Sequence, residues 1–246
     1  MVLRAAVLGG GVLLLEILCR LGVIPRFTMI PPTAMAAGLV ALLRTGSLNR
    51  DLFATFTAVA TAVGSSVVVG VLAGMVVHAV PRVRRVLDPL FATYYAIPIW
   101  AFYPLFIVLF GLNEIPKIVI AFLYSVVAVI VNTLNGLDRV PRVLLKMARA
   151  YRMGPLATGT TVVLPSAAPF IITGVKLAIA YSLIGVISSE FILASRGVGY
   201  RLSFAYLGFD NVTLYALILL LLVCVTTINQ VVYAWEQTLL RRWGRR

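Results

Sequence analysis

Residues 214–225 read LYALILLLLVCV, from Leu214 to Val225, and residues 67–77 read VVVGVLAGMVV, from Val67 to Val77. Neither run carries a charge, and neither alternates polar with apolar residues. A chain that crosses a bilayer must satisfy its own backbone polar groups, so only helices and closed barrels do it. Barrel strands alternate lipid-facing and lumen-facing residues. These runs are apolar on every face, and they therefore specify helices. They sit in segments of roughly 20 apolar residues, long enough for a hydrocarbon core of ~30 Å. The whole chain of 246 residues has the same character, at 61% hydrophobic and 12% charged, against about 25% charged in soluble domains. The sequence predicts an all-α membrane protein with one membrane domain over residues 1–246.

Six spans are expected, at about 5–24, 53–79, 89–110, 117–137, 167–193 and 211–234. Turn or charge signals separate them: Pro25, Pro31-Pro32, Pro81-Arg82, Gly111 to Glu114, Asp138 to Pro165, and Arg196-Gly197. Arg4 and the apolar run after it look like a signal peptide, with a weak cleavage pattern at Ala34-Met35-Ala36. Glu16, Cys19 and Arg20 interrupt that run, so a retained first helix is the expectation. The apolar stretch Ala34 to Leu43 suits a short helix on the outer membrane surface.

The formal net charge of +13 would point to nucleic acid in a soluble protein. Here it follows topology, because Lys and Arg collect in cytoplasmic loops. With the N-terminus inside, 13 basic residues fall on the cytoplasmic side and 6 on the other. Both termini are therefore expected in the cytoplasm, and no nucleic-acid partner is expected. Cys19 and Cys224 lie in apolar spans, and the single His78 ends one, so none of them suggests a disulfide or metal site. There is no Walker G-x-x-x-x-G-K-[ST] sequence. No metal-ligand spacing and no activated Ser–His pair occur either. The chain reads as non-catalytic and binds no cofactor of its own.

The longest cytoplasmic segment, 138–166, carries Arg139, Arg142, Lys146, Arg149 and Arg152 at spacings of 3, 4, 3 and 3. That spacing puts all five on one helical face, with Val140, Val143, Leu144, Met147, Ala148 and Tyr151 on the rest. Such a helix either lies on anionic headgroups or docks in a partner's groove. Periodicity alone leaves both open.

The stretch Ala148-Arg149-Ala150-Tyr151-Arg152, nine further residues and Val162-Val163-Leu164-Pro165 together resemble the EAA loop of permease subunits of ATP-binding-cassette (ABC) importers. That pattern is Glu-Ala-Ala, three residues, Gly, nine residues, Ile-x-Leu-Pro. Lys146 stands where the family has Glu, and Arg152 where it has Gly, with Gly154 two residues on. Further pieces, in order, are similar to the nitrate/sulfonate/taurine branch: Ile30-Pro31-Pro32-Thr33, Arg84 to Leu90, Ala96-Ile97-Pro98, Leu109 to Leu112, Pro116-Lys117-Ile118, Ser189-Glu190-Phe191 and Gly197 to Tyr200. The resemblance implies a coupling helix between the fourth and fifth spans that fits a groove of a separate ATPase. Arg142, Lys146, Ala148, Arg149, Ala150, Tyr151, Arg152, Gly154, Leu164 and Pro165 would form that coupling site, with Ala148 at the tightest contact. It also implies a homodimer, two ABC ATPase subunits that hold ATP and Mg, an extracytoplasmic solute-binding protein, and residence in the inner membrane of a prokaryote. The branch suggests a small anion such as nitrate, taurine or a sulfonate, or a vitamin precursor.

Polar residues inside a membrane are costly and face protein or a pathway. Glu190, beside Ser189, is either a carboxylate bonded to nearby backbone or Arg, or a residue lining a pathway. Asn132 and Asn135 share a face and either bond between helices or line that pathway. Tyr95 and Pro98 sit in an aromatic, irregular third span, where Pro98 frees backbone groups that a pathway can use. Glu16 and Arg20 are spaced to pair, Lys176 to snorkel toward headgroups, and Gly70 and Gly74 to let helices approach. Two rival functions are a stand-alone secondary transporter or channel, which predicts ion-coupling charges and internal repeats, and a non-transporting membrane scaffold. Few intramembrane charges and no clear repeat are present.

Overall fold

The apolar runs become long helices in the computed structural model, which describes residues 2–25 and 27–243. No strand occurs among them. In chain order the helices are α1 (Val2–Arg20), α2 (Pro32–Arg44), α3 (Asn49–Ala79), α4 (Pro81–Thr93), α5 (Tyr103–Phe110) and α6 (Ile115–Asp138). They continue as α7 (Arg142–Ala150), α8 (Pro155–Thr158), α9 (Leu164–Leu193), α10 (Val198–Leu207) and α11 (Asn211–Trp243). Arg26, Arg245 and Arg246, counted above in the charge asymmetry, lie outside the described residues, as do the side chains of Arg4, Arg241 and Arg242.

Four segments are long and apolar enough to cross a membrane: Asn49–Ala79, Ile115–Asp138, Pro155–Leu193 and Asn211–Thr238. The expected third span is not one rod. It starts at Pro81 rather than 89, and its two halves meet at 81° across Ile97 and Pro98. The cause is local. Pro98 has no N–H and disfavours helix at the residue before it. Ile97 is accordingly extended, at φ −84° and ψ 120°, and short 3₁₀ turns flank the break at Tyr94–Ala96 and Ile99–Phe102. The first helix stops at Arg20, not 24, where Gly22 turns the chain with φ 76° ahead of Pro25. The stretch around Ala34 to Leu43 is helical as α2, opened by Pro32 in the first turn, a position where the missing N–H costs nothing.

The chain divides into two compact units. One comprises the residues up to Ala54 together with Glu190–Tyr233. Its core is Leu48, Val198, Leu217 and Leu220, with Leu39 and Leu202 against them. Asp210 caps α11 by accepting the Thr213 N–H at 3.1 Å. Glu16 pairs with Arg20 at 2.5 Å, as the spacing predicts, and also accepts the Thr33 N–H and hydroxyl.

The other unit comprises Thr55–Ser189 and the residues from Ala234 onward. Val77, Val126, Val127, Ile130 and Leu134 form its core, with Phe91 and Tyr94 packed on it. Gly70 and Gly74 let α3 lie directly on α6: an added Cβ would come within 2.6 Å of Val129 Cβ and 2.8 Å of Thr133 Cβ. Lys176, expected to reach for headgroups, instead pairs with Glu236 at 3.1 Å. Arg84 clasps Asp138 with both guanidinium nitrogens, at 2.6 and 2.5 Å, fixing the start of α4 to the end of α6 just before the basic segment.

Candidate functional site

The basic segment folds differently from one continuous helix. Pro141 disfavours helix at Val140 and opens α7, so only Arg142, Lys146 and Arg149 of the five cations lie on it. Arg139 precedes the break and stacks over the Phe170 ring at 4.9 Å. Arg152 follows the helix. The apolar residues split between two faces. Val140 and Ala148 are buried, at 8% and 3% exposure. Val143, Met147 and Tyr151, four residues apart, stand 66%, 50% and 76% exposed. Ala148, expected at the tightest contact with a separate subunit, is thus covered by its own chain. Leu144, 37% exposed, lies beside Val143, Met147 and Tyr151 and widens this outward apolar ridge. Arg142, Lys146 and Arg149, all exposed, lie together along one flank of that ridge, and the exposed Arg152 follows at the end of the helix.

The end of α7 explains the glycine of the EAA pattern. The Arg152 N–H donates to the Arg149 carbonyl and the Met153 N–H to the Ala148 carbonyl, both at 2.9 Å. That pair of bonds is a Schellman cap, whose next residue takes the left-handed conformation that glycine favours. Arg152 occupies that place with φ 52°. Gly154 does not stand in for it: its φ is −67°, and nothing lies within 4 Å of where a Cβ would be. Left-handed backbone costs a non-glycine residue about 1–2 kcal/mol. Arg152→Gly should therefore raise the thermal stability of the full chain in detergent, by about 1 kcal/mol. An unchanged or lowered melting temperature would refute the strain.

After α8 the chain widens into one π turn, Gly159–Val163, and enters α9 through Leu164 and Pro165. The Pro165 ring presses on the carbonyl one turn back, at Thr161, and the wider turn makes room for it. Thr160 and Thr161 send their hydroxyls to the Leu156 and Ala157 carbonyls, at 3.0 and 2.5 Å.

The other expected site residues scatter. Tyr95 stacks on Tyr181 at 4.9 Å between ring centres and donates to the Tyr124 carbonyl at 3.2 Å. Pro98 sits exposed at the break in the third span. Asn132 donates to the Ala128 carbonyl of its own helix at 2.8 Å and packs where Gly174 leaves room. Asn135 opens instead onto a hollow lined by Arg84, Asp88 and Phe91. Ser189 is buried and donates to the Gly185 carbonyl at 2.7 Å.

Glu190 is fully buried, and its carboxylate accepts the Gly199 N–H at 3.1 Å. Its partner carboxylate is one the sequence did not single out. Asp51 accepts the Gly197 N–H at 3.0 Å and the Arg201 Nε–H at 2.7 Å. Two buried carboxylates thus hold the two ends of the turn Gly197-Val198-Gly199. The signal was available, since Asp51 is the sole acidic residue between Pro25 and Leu52. Beside this turn Ser47, Arg50, Arg196, Tyr200, Arg201 and Phe204 help line a hollow of about 650 Å³.

Residues 66–245 match the family described as "Binding-protein-dependent transport system inner membrane component". The chain belongs to this family. As a permease of the ABC type it is 30% identical over 184 residues to the "Probable ABC transporter permease protein" of Brucella melitensis, covering 75% of each chain. It is 31% identical over 173 residues to the bicarbonate transport system permease protein CmpB of Synechococcus elongatus, covering 68% of this permease and 62% of CmpB. The taurine transport system permease protein TauC of Escherichia coli is 29% identical over 159 residues, covering 65% and 58%. The permease also shares its fold with a chain of the inward-facing MetNI methionine ABC transporter, with a TM-score of 0.65 at 16% identity over 81% of this chain and 97% of that one.

Proposed function

We propose that this permease is the membrane-spanning subunit of an ATP-driven importer that works as a homodimer with two ABC ATPase subunits and an extracytoplasmic solute-binding protein. Each copy is one membrane domain of six spans, counting α1 and the broken α4–α5 pair, with both termini in the cytoplasm of a prokaryote. ATP and Mg belong to the ATPase subunits, and α7 docks into them. The observation that carries this assignment is the exposed ridge Val143, Met147 and Tyr151 on a short helix, in a chain of this family. Helix-in-groove docking uses anchors at such spacings. Closure of the ATPases would shift a two-state membrane dimer through these helices.

The substrate we propose is a small anion, in line with the bicarbonate and taurine systems to which CmpB and TauC belong. The basic hollow around Arg50, Arg196 and Arg201 accords with that charge.

A topology measurement tests the six-span arrangement. Reporters fused after Arg246 or inserted near Arg142 should be cytoplasmic, and one near Thr45 external. Thr45 and Arg142 on the same side would overturn it.

A further inference from the structure

The charge around α7 identifies its partner more closely than the ridge alone does. Arg142, Lys146, Arg149 and Arg152 are all exposed. Among the described residues none of the four has an ion-pair partner. The chain offers none nearby: no aspartate or glutamate occurs between Asp138 and Glu190, and Asp138 is already held by Arg84. Three like charges line one flank of the apolar ridge, and a fourth follows at the end of the helix. Like charges facing each other across an interface repel, whereas opposite potentials speed encounter and fix register.

We propose that the groove receiving α7 is acidic along one edge, an apolar cup for Val143, Met147 and Tyr151 with aspartate or glutamate facing Arg142, Lys146 and Arg149, and that this charge selects the cognate ATPase. This rests on the assignment of α7 as the ATPase-docking helix. It adds the sign of the partner surface, with Lys146 the helical cation nearest the ridge. Lys146 is exposed and has no bonded partner among the described residues, so reversing its charge leaves the permease's own packing intact.

The test is binding of the purified ABC ATPase subunit with which the full-length permease is co-expressed. The permease is held in nanodiscs of phosphatidylcholine, and wild type, Lys146→Glu and Tyr151→Ala are compared. At about 50 mM salt Lys146→Glu should weaken binding about tenfold, shrinking below about threefold at about 500 mM as the charges are screened. Changing one groove acid of the ATPase to lysine should restore Lys146→Glu while weakening wild type. Equal binding by wild type and Lys146→Glu at low salt, with Tyr151→Ala still defective, would overturn the acidic groove and leave the docking helix standing. If neither variant binds less well, the docking assignment itself fails. A charge effect that appears only when about a third of the lipid is phosphatidylglycerol would assign the cations to the membrane and overturn the proposal.

Discussion

Gly197→Ala should destabilise the folded permease by about 3 kcal/mol or more, enough to remove most of the monodisperse protein recovered in detergent. Two causes add. Gly197 has φ 117° and ψ 169°, a region open essentially to glycine alone and worth about 1–3 kcal/mol in strain to any other residue. A Cβ there would also run into the carboxylate of the fully buried Glu190. That carboxylate accepts the Gly199 N–H and cannot retreat without leaving a buried charge unsatisfied, a loss of about 1–3 kcal/mol. Gly64→Ala is the matched control. Nothing lies within 4 Å of its Cβ position, and alanine in a helix interior should be neutral or gain about 0.5–1 kcal/mol. Thermal unfolding of both variants decides it: a Gly197→Ala protein within about 0.5 kcal/mol of wild type, the usual range for innocuous surface changes, would refute a stabilising role for the carboxylate-held turn.

Tyr151→Ala should abolish transport while leaving the permease folded and inserted. Tyr151 is 76% exposed, so its ring contributes little to the chain's own core. Aromatic anchors at the centre of an interface commonly carry 2 kcal/mol or more, which is about thirtyfold in affinity. ATPase capture by the variant in detergent should fall by about that factor. Ala148→Trp is the poorer probe, because Ala148 is buried within the chain and overpacking there costs ~1–3 kcal/mol of the permease's own stability. Wild-type capture and transport by a well-folded Tyr151→Ala protein would leave α7 as a lipid-surface helix.

Much of the helical plan was legible because lipid admits so few solutions. Runs such as Leu214 to Val225 had to be helices, and Pro98 marked the third span as irregular, though it did not show that its halves meet at 81°. What stayed hidden depends on tertiary contact. The basic periodicity from Arg139 to Arg152 ignored Pro141, which cuts Arg139 off from α7. Ala148 is small because its own chain covers it, a fact that spacing cannot reveal. The sequence shows Arg152 where the EAA pattern has glycine but not why; the cap shows that the position takes a left-handed backbone. Asp51 and Gly197 lie 146 residues apart, and no local pattern pairs them.

ATP-driven import is tested most directly by solute uptake into proteoliposomes holding the full-length permease, its ABC ATPase subunits and its binding protein. Uptake should require internal ATP, stop without the ATPase, and fall to background in Tyr151→Ala while the permease remains inserted. Uptake by the permease alone, driven by an ion gradient and indifferent to ATP, would contradict it.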